Sequence, residues 1–289
     1  MTGHAEARTL PVRGGLGAAS IASLVVALGV AGVSAVGLWW GSDGVHGAGS
    51  PLVQVSRGGD AANLVLGLPA LLGSMWLARR RWLLGLLLWP GALFYVLYAY
   101  ALYLLAAPFS ALFFGYVALV TLSSWTLIGL LAGIDAGEVR RGMASAPARG
   151  VGRALVAIAA LAYLGLTAAA AAALGGGEPP MRVQWVVDYA LGTPVLLVGG
   201  ALLLRRAPLG YVAAAGLLLV SGLNGLAFAA SAVLDRVLAG RPVEPAVVAV
   251  HLVIAGVSLA ILAYFALRAL RPPAAALASP GPQPAEAAR

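Results

Sequence analysis

The stretch Leu66–Gly85, LGLPALLGSMWLARRRWLLG, decides how the chain is read, because it recurs 125 positions later as Leu191–Gly210, LGTPVLLVGGALLLRRAPLG. Ten of the twenty aligned positions are identical without a gap: Leu66, Gly67, Pro69, Leu71, Leu72, Leu77, Arg80, Arg81, Leu84 and Gly85 each meet their own kind. Each copy reads as an apolar helix with a proline inside it, an arginine turn, and the start of a second apolar helix.

The surrounding composition names the solvent. Of 289 residues, 61% are hydrophobic and 10% charged, against a globular norm of roughly 25% charged. A water-soluble core cannot hide that much apolar surface, so the expected partner of most side chains is lipid. A bilayer crossing takes roughly 20 apolar residues. Eight segments qualify, at about 17–40, 61–78, 82–107, 109–134, 151–174, 185–204, 209–234 and 245–270. The boundary at Ala107-Pro108 is the least marked. The fold class is therefore an all-α polytopic bundle.

All 18 basic residues are arginine, and cysteine is absent. That excludes disulfides, thiolate chemistry, lysine Schiff bases and the P-loop lysine. With eight crossings, fourteen arginines fall on the side holding both termini. The other side keeps Arg57, Arg182, Arg236 and Arg241. Such a bias places the termini in the cytoplasm and accounts for the +8 net charge without nucleic acid. Usage of Arg, Ala and Gly in this manner suggests a bacterial inner membrane. Val33-Ser34-Ala35 resembles a signal-peptide cleavage site, but the equivalent fifth segment also follows an Arg-Gly pair and cannot be cleaved.

Four helices per copy is an even number, so the repeats, 13–134 and 149–270, are expected to insert in the same direction. A cytoplasmic N-terminus at 1–12, a linker at 135–148 and a Pro/Ala-rich tail at 271–289, read as disordered, complete the organisation.

Candidate functional residues follow from polarity within the spans. Pro69 and Pro194 occupy one repeat position. A proline deletes a backbone hydrogen bond, here freeing the carbonyls of Val65 and Ala190, and matched helix breaks mark transporter binding sites. Asn63 and Asp188 align a turn and a half before the prolines. Asp43, His46, Asp60, Glu178, Asp235 and Glu244 sit at the same outer rim, where a solvated belt and helix dipoles explain most of them. Ser221, Asn224 and His251 lie at similar depth on adjacent helices. An Asn224–His251 hydrogen bond is the simplest pairing; a Ser221–His251 hydrolase is the sharper one. The Gly-x-Ser-Gly motif of intramembrane serine proteases, however, is only half present in Val220-Ser221-Gly222. Tyr95 and Tyr98 share one face of the third segment, and Tyr100 and Tyr103 the opposite face. One pair is expected toward lipid.

A lone intramembrane histidine cannot ligate haem from two sides, and no metal motif exists. No cofactor is expected. The favoured reading is a non-enzymatic permease, or a binder of a small or amphipathic molecule, with Asn63, Pro69, Asp188, Pro194, Asn224 and His251 at a site between the repeats that is reached from outside. The alternatives are an intramembrane enzyme using His251 with Ser221 or Asn224, and a structural subunit whose partner is another membrane protein.

Overall fold

The computed structural model describes residues 10–39, 56–106, 109–174, 176, 182–238 and 240–269. The tail after 270, most of the N-terminal segment, and Asp43, His46 and Glu178 lie outside the described residues. Among those described, eight helices are long and apolar enough to cross a membrane, and none belongs to a sheet. They are numbered α1 (Gly17–Trp39), α2 (Arg57–Arg79), α3 (Leu83–Ala106), α4 (Ala111–Gly133), α5 (Ala148–Ala173), α6 (Arg182–Leu204), α7 (Pro208–Leu238) and α8 (Pro245–Ala269). A short surface helix, Ala136–Gly142, links α4 to α5, with Asp135 at its N-cap accepting from the Gly137 and Glu138 N–H groups. That cap, helped by Arg13 nearby, holds the Asp135 carboxyl below its usual range.

Helices α3 and α7 form the centre. They cross at Gly91 and Gly216, which are themselves 125 positions apart. A Cβ on Gly216 would stand 2.9 Å from the Gly91 nitrogen, and one on Gly91 would overlap the Gly216 backbone. Where the hydrophobic effect does not drive helices together, such close backbone approach is what small residues provide. Around this crossing α2 lies against both α3 and α7, α4 against α3, and α8 against α7. Trp89 on α3 donates to Ser23 Oγ of α1 at 2.9 Å.

The quoted stretches take the same backbone path. Each begins with a π turn, Asn63–Gly67 and Asp188–Gly192, followed by an α segment, Leu68–Arg79 and Thr193–Leu204. In the first, the Leu68 N–H reaches the Asn63 carbonyl five residues back; in the second, the Thr193 N–H reaches that of Asp188. The prolines thus enter at the first turn of the following segment, where a missing N–H costs little. The expected helix break is realised as one widened turn.

Both segments end alike. Trp82 N–H bonds the Leu77 carbonyl and Arg81 N–H that of Ala78; Ala207 and Arg206 make the equivalent bonds to Leu202 and Leu203. This is the Schellman arrangement, which requires a left-handed residue at its corner. Arg81 (φ 62°) and Arg206 (φ 53°) supply it, although glycine is the residue that adopts it without cost.

The tyrosines of α3 depart from expectation. Tyr95, Tyr98, Tyr100 and Tyr103 are all buried, none more than 6% exposed. Neither pair meets lipid, because α3 is surrounded by protein on both faces.

Candidate functional site

Near the ends of the helices farthest from the arginine turns, the middle of the bundle carries polar side chains instead of apolar ones. Asp60 and Asn63 are each 3% exposed, one turn apart on α2. Asp60 accepts from the hydroxyls of Ser34 (α1) and Tyr103 (α3), and Ser34 also shares a 2.8 Å hydrogen bond with Tyr100. Tyr103 stacks on Tyr116 of α4, with ring centroids 5.4 Å apart. No arginine neutralises Asp60 among the described residues; its charged neighbour is another carboxylate, Asp235 of α7. Asp235 in turn accepts the Gly58 N–H at 2.9 Å and lies near Arg57.

Asn63 makes one hydrogen bond, accepting from Tyr95 Oη at 3.2 Å. Its Nδ2 is buried and has no partner. Whichever way the amide is turned, one of its ends stays unsatisfied, which in hydrocarbon costs free energy unless something polar comes to it. That side chain borders a partly open cavity of about 80 Å³ lined by α2, α3 and α7, whose walls include Tyr95, Tyr98, Tyr103, Asn224 and Phe228.

Asp188 is the positional counterpart of Asn63 but sits in different surroundings. It lies on α6 and is only partly buried, with Oδ1 accepting from Tyr98 Oη at 2.6 Å. Gln184 and His251 are its other polar neighbours. The next residue, Tyr189, packs edge-on against Tyr163 of α5 and shares a 2.8 Å hydrogen bond with Thr167.

The six residues singled out from sequence therefore fall into three groups. Asn63 and Asn224 line the cavity. Asp188 and His251 stand one shell away, joined to the wall through Tyr98 and Phe228, whose ring lies 5.4 Å from the imidazole. Pro69 and Pro194 line nothing and act only through the π turns before them.

Two expected pairings are corrected. The hydrogen bond between α7 and α8 at this depth joins Ser221 Oγ to Ser258 Oγ at 2.8 Å. His251 Nδ1 instead bonds the Val247 carbonyl on its own helix at 2.8 Å. Neither the Asn224–His251 link nor a Ser221–His251 dyad is formed: Ser221 stands level with Ser258, seven residues along α8 from His251, whose imidazole packs beside Phe228 and folds back on its own helix.

Sequence reading missed Asp60 as a buried group and the α3 tyrosines as its partners. Tyr95, Tyr98, Tyr100 and Tyr103 occupy four of nine consecutive positions in an otherwise apolar helix. That density of hydroxyls was the available signal.

Comparison with protein-family models, with curated proteins and with solved structures finds no match for this chain.

Proposed function

We propose that this chain is a permease, or a small-molecule binding protein, of a bacterial cytoplasmic membrane, built from two four-helix repeats inserted in the same direction with both termini inside the cell. The arginine bias supports the orientation. The duplication is supported by the shared offset of the π turns, the left-handed arginines and the Gly91–Gly216 crossing. A twofold axis along the membrane normal would run between those two glycines.

The observation that carries the functional reading is the unpartnered, buried amide of Asn63 at the wall of a cavity lined by helices from both halves. A polar group left open in the membrane interior marks a place built for something polar. At about 80 Å³, the cavity in this shape takes a small hydrogen-bonding solute and not a long amphipathic one. Nothing in the arrangement of Ser221 and His251 favours hydrolysis.

The test is thermal unfolding of the purified protein in nanodiscs against a panel of small polar solutes. At least one solute raises the midpoint of the native protein and has no such effect on Asn63→Leu, while Ser221→Ala responds like the native chain. Stabilisation that survives Asn63→Leu and disappears in Ser221→Ala would overturn this assignment in favour of a site at α7 and α8.

A further inference from the structure

The carboxyls of Asp60 and Asp188 belong to different halves and do not touch. Each, however, accepts a hydrogen bond from a tyrosine of α3, and both tyrosines, Tyr103 and Tyr98, line the same cavity. The third polar group at that wall is the open amide of Asn63. Carboxyls buried within membrane spans characteristically lie on proton or cation pathways; the charged neighbour of Asp60 is another carboxylate, Asp235, and that of Asp188 is His251. A water molecule needs ~10–15 Å³ of accessible space and two to four polar partners. The cavity supplies room for several, with partners at Asn63, Tyr95, Tyr98, Tyr103 and Asn224.

We propose that water in this cavity joins Asp60 to Asp188 as a proton relay, which makes the proton the coupling ion of the site. With Asp60 protonated, the Tyr103 hydroxyl turns from the carboxyl toward the cavity, and a proton leaving Asp60 is taken up at the Tyr103 oxygen as Tyr103 releases its own hydroxyl proton to cavity water. The water passes a proton to the Tyr98 oxygen, and Tyr98 releases its own to the Asp188 carboxylate. One proton leaves Asp60, one arrives at Asp188, and both tyrosines end neutral. The Asn63 amide donates to the central water and fixes its orientation. Asn63 is thus a positioning residue.

The groups that bias the two ends are distinct. Asp60 is faced by Ser34 from α1, Tyr100 and Tyr103 from α3, Tyr116 from α4 and Asp235 from α7. Asp188 is faced by Tyr98 from α3, His251 from α8 and Gln184 of its own helix. Asp235 offers Asp60 a second way out, so the relay is tested in an Asp235→Asn background.

The inference rests on the cavity being the functional site and deepens that reading. Its test is infrared spectroscopy of the full chain in nanodiscs, following the carbonyl stretch of the protonated carboxyls after transfer into deuterated water. Asp60→Asn and Asp188→Asn each remove one band and so assign the two. In the Asp235→Asn background the Asp60 band shifts promptly. Adding Asn63→Leu, which replaces the amide at the cavity wall with an apolar side chain of similar size, keeps the band and slows its shift by at least about tenfold. Tyr98→Phe slows it likewise and serves if the leucine variant does not fold.

Two results would overturn the relay: an undiminished rate in both variants, or no protonated-carboxyl band from either aspartate across the pH range where the protein is folded. In either case a solute response lost in Asn63→Leu would still stand, so the two readings fail separately.

Discussion

The two halves share a backbone plan and differ in how far each closes on itself. In the first, α1 lies against both α2 and α4; in the second, α5 holds to α6 and makes no comparable contact with α8. The buried share of each span falls from first to second half: 33% to 11% for α1 and α5, 39% to 28% for α2 and α6, 72% to 50% for α3 and α7, and 22% to 11% for α4 and α8. The same position accordingly means different things. Asn63 is buried at the cavity wall, while Asp188 on α6 is only partly buried. The matched π turns occur in both stretches, and unequal packing leaves the residue that opens one of them buried and its counterpart partly exposed.

The contact on which both halves depend should give the largest effect. Gly216→Val places a branched side chain against the backbone at Gly91, which has no flexible atoms to move aside. Overpacking of this kind costs about 3 kcal/mol or more. The expected outcome is loss of monodisperse protein in size-exclusion chromatography, and Gly91→Val should behave the same way. A well-behaved Gly216→Val would mean that the halves are not held together at this crossing.

Next in size is a pair of substitutions at one repeat position. Asp188→Leu leaves the Tyr98 hydroxyl, 2% exposed, without its acceptor and should destabilise by about 1–3 kcal/mol. Asn63→Leu likewise leaves the Tyr95 hydroxyl without its acceptor, but the bond lost is longer and the amide removed is already half unsatisfied, so its cost should be smaller, about 0–1 kcal/mol. Unfolding in mixed micelles with a graded denaturant measures both. Equal losses would erase the distinction drawn between the buried residue and its partly exposed counterpart.

At the arginine turns the halves should behave identically. Glycine in place of Arg81 or Arg206 relieves a left-handed residue, each change stabilising by up to about 1 kcal/mol. Unequal gains would show that the turns are not equivalent. The smallest effect concerns the linker between the halves. The carboxyl of Asp135 is held below its ordinary value of 3.8 mainly by the Glu138 N–H. A depressed folded value means that its contribution is present above pH 3.8 and lost as pH falls through the folded value. Protection of the Gly137 and Glu138 amides, taken relative to the intrinsic exchange rate at each pH, should therefore fall in acid, and should be low throughout in Asp135→Ala.

How much of this was legible in the residues varies by kind of feature. The spans, the arginine turns and the place of the helix breaks are local properties of hydropathy, proline and repetition, and the structure follows them closely. The register between helices is another matter. Counting residues set Ser221, Asn224 and His251 at one depth, but Ser221 meets Ser258 and His251 meets Phe228, seven residues away on each helix, about 10 Å along the axis. Ser258, one of many small residues in α8, carried no mark as the partner of Ser221. The helical wheel split the α3 tyrosines into two faces, but Tyr103 shares a cavity with Tyr95 and Tyr98. It could not tell that all four would be covered, because that depends on residues of other helices: Ser34 of α1 at Tyr100, Asn63 of α2 at Tyr95, Tyr116 of α4 at Tyr103 and Asp188 of α6 at Tyr98.

The claim beneath all of this is that the copies enter the membrane in the same sense. The chain lacks cysteine, so Arg80→Cys and Arg205→Cys each provide a single reactive thiol at equivalent turns. A membrane-impermeant thiol reagent applied to intact cells should leave both unlabelled, and both should react once the membrane is opened. One turn labelled from outside and the other only from within would contradict the parallel duplication and the cavity assigned to its junction.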